Sequence, residues 1–222
     1  MVIDKSSLTL PPLENGDRLN RYEFERRYAA MPHLKNAQLI EGVVYMSAAL
    51  RFRNHGKPHA NLIGWLWFYQ IATPKVELGD NVTVRLDLDN LPQPDAVLMI
   101  DGGQASISSD DYVEGAPELV VEVAASSAAY DLYDKKRAYR RNGIQEYLVL
   151  RVYDNEFDWF CLEDGKYIKL EPNEEGYICS RVFPGLWLAV DSLLSGDMER
   201  VLAVSKQGLD SREHQEFVKQ FK

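Results

Sequence analysis

The sequence predicts a mixed α/β (α+β) fold, with a central mixed β-sheet flanked by helices and an antiparallel C-terminal meander. Three observations predict it. Residues 119–124 read Leu-Val-Val-Glu-Val-Ala, the near-continuous apolar run of a strand covered on both faces. A charged helical stretch at 128–142 separates that strand from another at 146–152, which is the spacing of a crossover joining two parallel strands. Strand-like segments at 156–162, 166–171 and 177–181 then follow, with turn residues between them.

The remaining elements are read in chain order. Residues 1–17 are polar, carry a Pro pair, and form a flexible N-terminal arm. Residues 18–222 form a single domain, since no Gly/Ser- or Pro-rich linker divides them. A helix spans 19–30 and stops before Pro32. Segments 37–40 and 43–47 make a hairpin around the two-residue turn Glu41-Gly42. Pro58, at a favourable first-turn position, opens a helix over 58–72. Strands follow at 75–78, 82–86 and 95–100, then a Gly/Ser/Asp-rich loop over 101–115. Ser126 and Ser127 are placed to cap helix 128–142, and Gly143 to end it. Helices at 191–194 and 211–221 complete the chain.

Composition narrows the function. The 222 residues are 45% apolar and 27% charged, which is ordinary globular usage. No apolar run approaches the ~20 residues of a membrane helix, and no secretory signal opens the chain. Cys161 and Cys179 make neither a disulfide framework nor a zinc site, and they read as buried thiols of a cytoplasmic protein. The net charge of −9 argues against a broad nucleic-acid-binding face. It leaves room for a local one, because Lys135, Lys136, Arg137, Arg140 and Arg141 place five cations within seven residues.

The chemistry centres on two carboxylates. Asp95 opens the strand Asp-Ala-Val-Leu, and Glu122 lies inside the most apolar strand of the chain. A carboxylate among valines is costly unless a charge or a metal compensates it. Two carboxylates on neighbouring strands can share a hard divalent cation, with water and substrate phosphate completing its coordination. The competing reading puts Glu122 on the solvent face of an edge strand, or pairs it with an arginine. On a helix, Asp131, Lys135 and Tyr139 share one face. Lys135 can then reach back to the Glu122 strand, or simply pair with Asp131 on a solvated surface. On an exposed face, Lys135→Ala leaves stability within ~0.5 kcal/mol, and Lys136 points away from Glu122.

Taken together, these residues resemble the Uma-two family of the PD-(D/E)XK, or restriction-endonuclease-like, nuclease superfamily. The resemblance rests on an ordered set of motifs. It runs through Pro94-Asp95, Glu118-Leu119-Val120-Val121-Glu122-Val123, Ser126-Ser127, Asp131 with Lys135 and Tyr139, and Gly143-Ile144-Gln145-Glu146-Tyr147. Outside that core it includes Glu41-Gly42, His59, Phe183-Pro184-Gly185-Leu186-Trp187 and His214-Gln215-Glu216-Phe217, and so spans roughly residues 18–221.

The resemblance implies a restriction-endonuclease-like core with Asp95 and Glu122 as metal-binding acids, Mg²⁺ as cofactor and Mn²⁺ as a substitute. The superfamily's usual lysine position is Ala124 here, and the resemblance moves that role to Lys135, with Lys136 as fallback. It also implies DNA as substrate, phosphate contacts from Lys136, Arg137, Arg140 and Arg141, a homodimer, and Glu41 as a further metal ligand. Glu41 reads equally well as a plain turn residue, and His59 reads as a helix-start or core histidine rather than a catalytic one. The alternative function is an inactive restriction-endonuclease-like fold that binds nucleic acid or protein. A weaker third reading is a metal-dependent hydrolase of a non-nucleic substrate.

Overall fold

Leu119–Ala124 is buried along its whole length and forms the middle of the molecule. The structure, a computed structural model, describes residues 10–46, 49–125 and 130–221. Helix α1 (Arg21–Ala29) precedes the hairpin β1 (Ala37–Ile40) and β2 (Val43–Met46). A π-helical turn (Phe52–Gly56) then runs into α2 (Lys57–Gln70). Strands β3 (Val76–Asp80), β4 (Val84–Arg85), β5 (Ala96–Ile100), β6 (Ser106–Ile107), β7 (Val113–Glu114) and β8 (Leu119–Ala124) come next. A second π-helical turn (Asp131–Lys135) leads into α3 (Lys136–Asn142). The chain continues through β9 (Glu146–Arg151), β10 (Glu156–Glu163), β11 (Lys166–Lys169), β12 (Tyr177–Cys179) and β13 (Trp187–Ala189). Helices α4 (Val190–Ser195), α5 (Met198–Leu209) and α6 (Arg212–Lys219) end the fold.

The main sheet has the order β11-β10-β9-β8-β5-β3. Strands β8 and β9 are parallel, as the crossover requires, and the other pairs are antiparallel. Alternation along β8 sorts its side chains onto two covered faces. Leu119, Val121 and Val123 pack with Leu62, Trp65, Leu66 and Tyr69 of α2, whereas Val120 and Ala124 pack with Tyr139, Ile144 and Tyr147. With helices on both sides, the strand has no solvent face, so its apolar sequence is unbroken except at Glu122.

The turn at Glu41-Gly42 joins β1 to β2 with both residues at positive φ, the geometry that matches strand twist in a two-residue hairpin. Gly143 ends α3 in the left-handed region, at φ 83°. Ser126 and Ser127 lie outside the described residues.

Four elements depart from the sequence reading. The segment at 82–86 shortens to β4, which joins β7 and β6 in a separate three-stranded sheet built from the expected loop. Strand β12 leaves the meander and pairs with β13, because the turn around Phe183-Pro184-Gly185 folds the chain back on itself. Helix α5 was not foreseen. It is capped by Asp197, whose side chain accepts the Arg200 N–H, and it buries Val201, Val204 and Gly208. Residues 10–17 do not hang loose as an arm, since Leu13 is buried and the Gly16 N–H donates to the Val44 carbonyl. No helix among the described residues is long and apolar enough to cross a membrane.

Candidate active site

The antiparallel register of β5 and β8 pairs Ala96 with Val121. The next facing pair is therefore Asp95 and Glu122, and the pleat turns both toward the α3 side of the sheet. Both are buried, at 8% and 3% exposure. Glu122 is neither on an edge strand nor paired with an arginine. Its Oε2 lies 2.8 Å from Lys135 Nζ, and its Oε1 accepts a 2.7 Å hydrogen bond from the Tyr139 hydroxyl. Lys135 Nζ is also 3.3 Å from Asp131 Oδ1. The helix face formed by Asp131, Lys135 and Tyr139 thus meets the strand, and all three are buried against it.

Asp95 is held from several directions. Its Oδ2 accepts the Val123 N–H at 2.6 Å. Its backbone carbonyl is 3.0 Å from His59 Nε2, which also sits 3.1 Å from Asp80 Oδ1. His59 is therefore a helix-start residue that fixes the backbone under Asp95. One turn earlier, His55 places Nε2 3.3 Å from Asp95 Oδ1. His55 escaped the sequence reading because its position depends on the π-helical turn, for which no residue pattern codes. Both π-helical turns border the site, a placement common for such insertions. One supplies His55, and the other supplies Asp131 and Lys135.

The electrostatics follow from burial around a cluster of three carboxylates. Burial pushes Glu122 up, with Asp131 and Asp95 adding to the effect against the pull of Lys135, and leaves it at about 8. Burial pulls Lys135 down, but Glu122 and Asp131 outweigh it and hold the ammonium above its ordinary value. Burial also raises Asp95, yet His55, the Val123 N–H and Lys135 more than offset this and keep it below the usual carboxylate range. His55 is raised by its contact with Asp95. These groups line a cavity of about 580 Å³, whose wall includes Tyr45 and Tyr130 with ring centres 4.2 Å apart.

The donor set fits a hard divalent cation. Asp95 and Glu122 are facing residues on adjacent stretches of the sheet, and the buried Asp131 Oδ1 makes no hydrogen bond, with only the Lys135 ammonium 3.3 Å away. Among the described residues, no three His, Cys, Asp or Glu side chains form a ready-made cage. An ion of the Mg²⁺ type takes one or two carboxylates and leaves the rest of its shell to water and phosphate, so a pair of acids can be enough to hold it.

Residues 21–191 match the family model described as "Uma2: Putative restriction endonuclease". The chain belongs to this family. Its fold also resembles a crystal structure from Anabaena variabilis described as "a putative nuclease belonging to DUF820", with a TM-score of 0.58 at 12% identity. That alignment covers 77% of this chain and 96% of the other. No match is found among curated proteins. The Uma2 membership supports a nuclease, a hydrolase acting on nucleic acid.

Within this Uma2 chain, Glu41 is not brought to the acids. The positive-φ turn aims it at α3, where Arg141 binds both its oxygens at 2.7 and 3.0 Å and Arg137 lies 3.4 Å away. The cations expected to touch phosphate are likewise engaged elsewhere. Lys136 sits 3.3 Å from the centre of the Phe160 ring, and Arg140 donates to the Gly165 carbonyl. Arg137 pairs with Asp134, and Arg141 with Glu41 and Asp87. None of the four lines the cavity. Ala124, on the same face as Glu122, is fully buried with Tyr139 and Tyr147, so the strand leaves no room there for a lysine. The amine beside Glu122 comes from Lys135 instead.

Proposed function

We propose that the protein is a metal-dependent endonuclease that hydrolyses DNA phosphodiester bonds. The observation that carries this reading is the convergence of Asp95 at the start of β5, Glu122 of β8 and Lys135 of the second π-helical turn at the floor of one cavity. Asp95 and Glu122 would hold a divalent cation, Mg²⁺ or in its place Mn²⁺. Such an ion binds phosphate oxygens and lowers the pKa of water, so that hydroxide is available near neutral pH. Lys135 holds Glu122 in place from one side, and its ammonium faces the negative charge that develops as a phosphate is attacked. Tyr139 fixes the other Glu122 oxygen, and His59 and the Val123 N–H fix Asp95, so neither carboxylate has to reorganise during the reaction. Cutting both strands of a duplex is easiest with two such centres, so a duplex substrate would favour a homodimer in this reading.

The test is cleavage of supercoiled, linear duplex and single-stranded DNA by the purified protein, with Mg²⁺, with Mn²⁺ and with EDTA. Cleavage of at least one form with ion, abolished by EDTA, is the expected result. Cleavage that persists in EDTA, or none with any ion and any DNA, would overturn the proposal.

A further inference from the structure

We infer that the substrate of this site is an unpaired strand of DNA, gripped by the segment Arg51–Lys57 together with Tyr153 beside the catalytic cavity. This inference rests on the proposed nuclease reading and names the form of nucleic acid it would take.

Three observations carry it. First, the acids lie deep: Asp95, Glu122 and Asp131 are 8%, 3% and 2% exposed at the base of a cavity. A single strand can bend its phosphates down to them, whereas a rigid duplex presents its backbone on a broad convex surface. Second, exposed aromatic rings lie at or next to the rim, Tyr153 lining the cavity and Phe52 directly following the lining residue Arg51. Phe52 is 75% and Tyr153 61% exposed, and Asn54 Nδ2 donates to the Tyr153 hydroxyl at 3.2 Å, tying the two segments together. Such rings offer stacking platforms to bases, but only to bases that are not already stacked in a duplex.

Third, the segment carries cations without acidic partners. Arg51, Arg53 and Lys57 are exposed and form no ion pair among the described residues, whereas Arg137 and Arg141 of α3 are paired. The strip is continuous with the site. Arg51, Asn54 and Tyr153 border the catalytic cavity. Arg53, Lys57 and Asn155 border a second cavity of about 190 Å³. Alternating Arg51-Phe52-Arg53 gives phosphate contacts and a base platform in one stretch, an arrangement suited to a strand running from one cavity to the other. An unpaired strand also needs only one centre per cut, which removes the need for a dimer.

The experiment is fluorescence anisotropy of a labelled single-stranded oligonucleotide and of its duplex, in EDTA, with the full chain. Binding without divalent ion separates this inference from cleavage. If the strand binds but no ion supports cutting, the nuclease reading fails and the grip stands. The single strand is expected to bind more tightly than the duplex. Phe52→Ala with Tyr153→Ala should weaken it about thirtyfold or more, given ~1–3 kcal/mol for each of the two stacked bases. Arg53→Ala with Lys57→Ala should lower the salt slope by about 1.4, at ~0.7 per phosphate contact, and Arg137→Ala should change neither. Equal affinity for duplex, unchanged binding in both double variants, or displacement by polyglutamate as readily as by unlabelled strand would overturn it.

Discussion

Lys135 Nζ lies 2.8 Å from Glu122 Oε2, with both side chains at 4% exposure, so this lysine is part of the interior rather than of a solvated helix face. The relation changes what its substitution does. An exposed helical lysine is nearly neutral to stability, but removing one partner of a buried pair strands the other. Lys135→Met should therefore cost on the order of 3–5 kcal/mol in urea unfolding. Lys135→Met combined with Glu122→Gln should recover part of that loss, because the carboxylate it leaves uncompensated is gone. A loss under ~0.5 kcal/mol in the single variant would contradict the buried pair. Activity lost in Lys135 variants must accordingly be measured on the folded fraction alone.

A second buried carboxyl makes stability depend on pH. Glu146 is fully buried, and its oxygens accept from the Ser180 hydroxyl and the Arg181 N–H, both at 2.7 Å. Burial outweighs these bonds and raises it from 4.5 to about 7. A carboxyl raised on folding contributes stability that is complete below its unfolded value and is lost as pH rises through the folded one. Relative to Glu146→Gln, the wild type should lose up to ~3 kcal/mol between pH 4.5 and 8. Parallel pH profiles of unfolding free energy would contradict this.

A third expectation reverses a common rule. Glycine to alanine inside a helix normally stabilises by ~1 kcal/mol. At Gly208 in α5, an added Cβ would collide with the Gly185 carbonyl oxygen and lie 2.9 Å from Trp187 Cγ. Gly208→Ala should thus lower the melting temperature by several degrees, since ~1 kcal/mol moves a chain of this size by roughly 2–4 °C. A rise would mean that the C-terminal helices do not dock as closely as the structure shows.

What was legible in the sequence was what side-chain type dictates. A carboxylate inside Leu119–Ala124 had to be either compensated or turned to solvent on an edge strand, and the two-residue turn at Glu41-Gly42 follows from its residues. The direction in which Glu41 points was not legible, because it depends on the positive-φ turn and on where α3 lies. His55 and the inward rotation of Asp131 depend on π-helical turns, which no residue pattern announces. Helix α5 did carry a signal, with Asp197 as cap and Val201, Val204 and Gly208 on one face. The basic run after Lys135 had the right charge for phosphate, yet sequence could not show that Glu41, Asp87 and Asp134 neutralise it.

The most direct test of the hydrolytic centre is single-turnover cleavage of DNA with Mg²⁺ by wild type and by Asp95→Asn, both verified as folded. Asparagine keeps an oxygen to accept the Val123 N–H but lacks the charge to hold a cation. The wild type should cut in an ion-dependent way and Asp95→Asn at a rate at least 10²-fold lower, the loss of ~2.7 kcal/mol or more in transition-state stabilisation. Equal rates in the two proteins would contradict it.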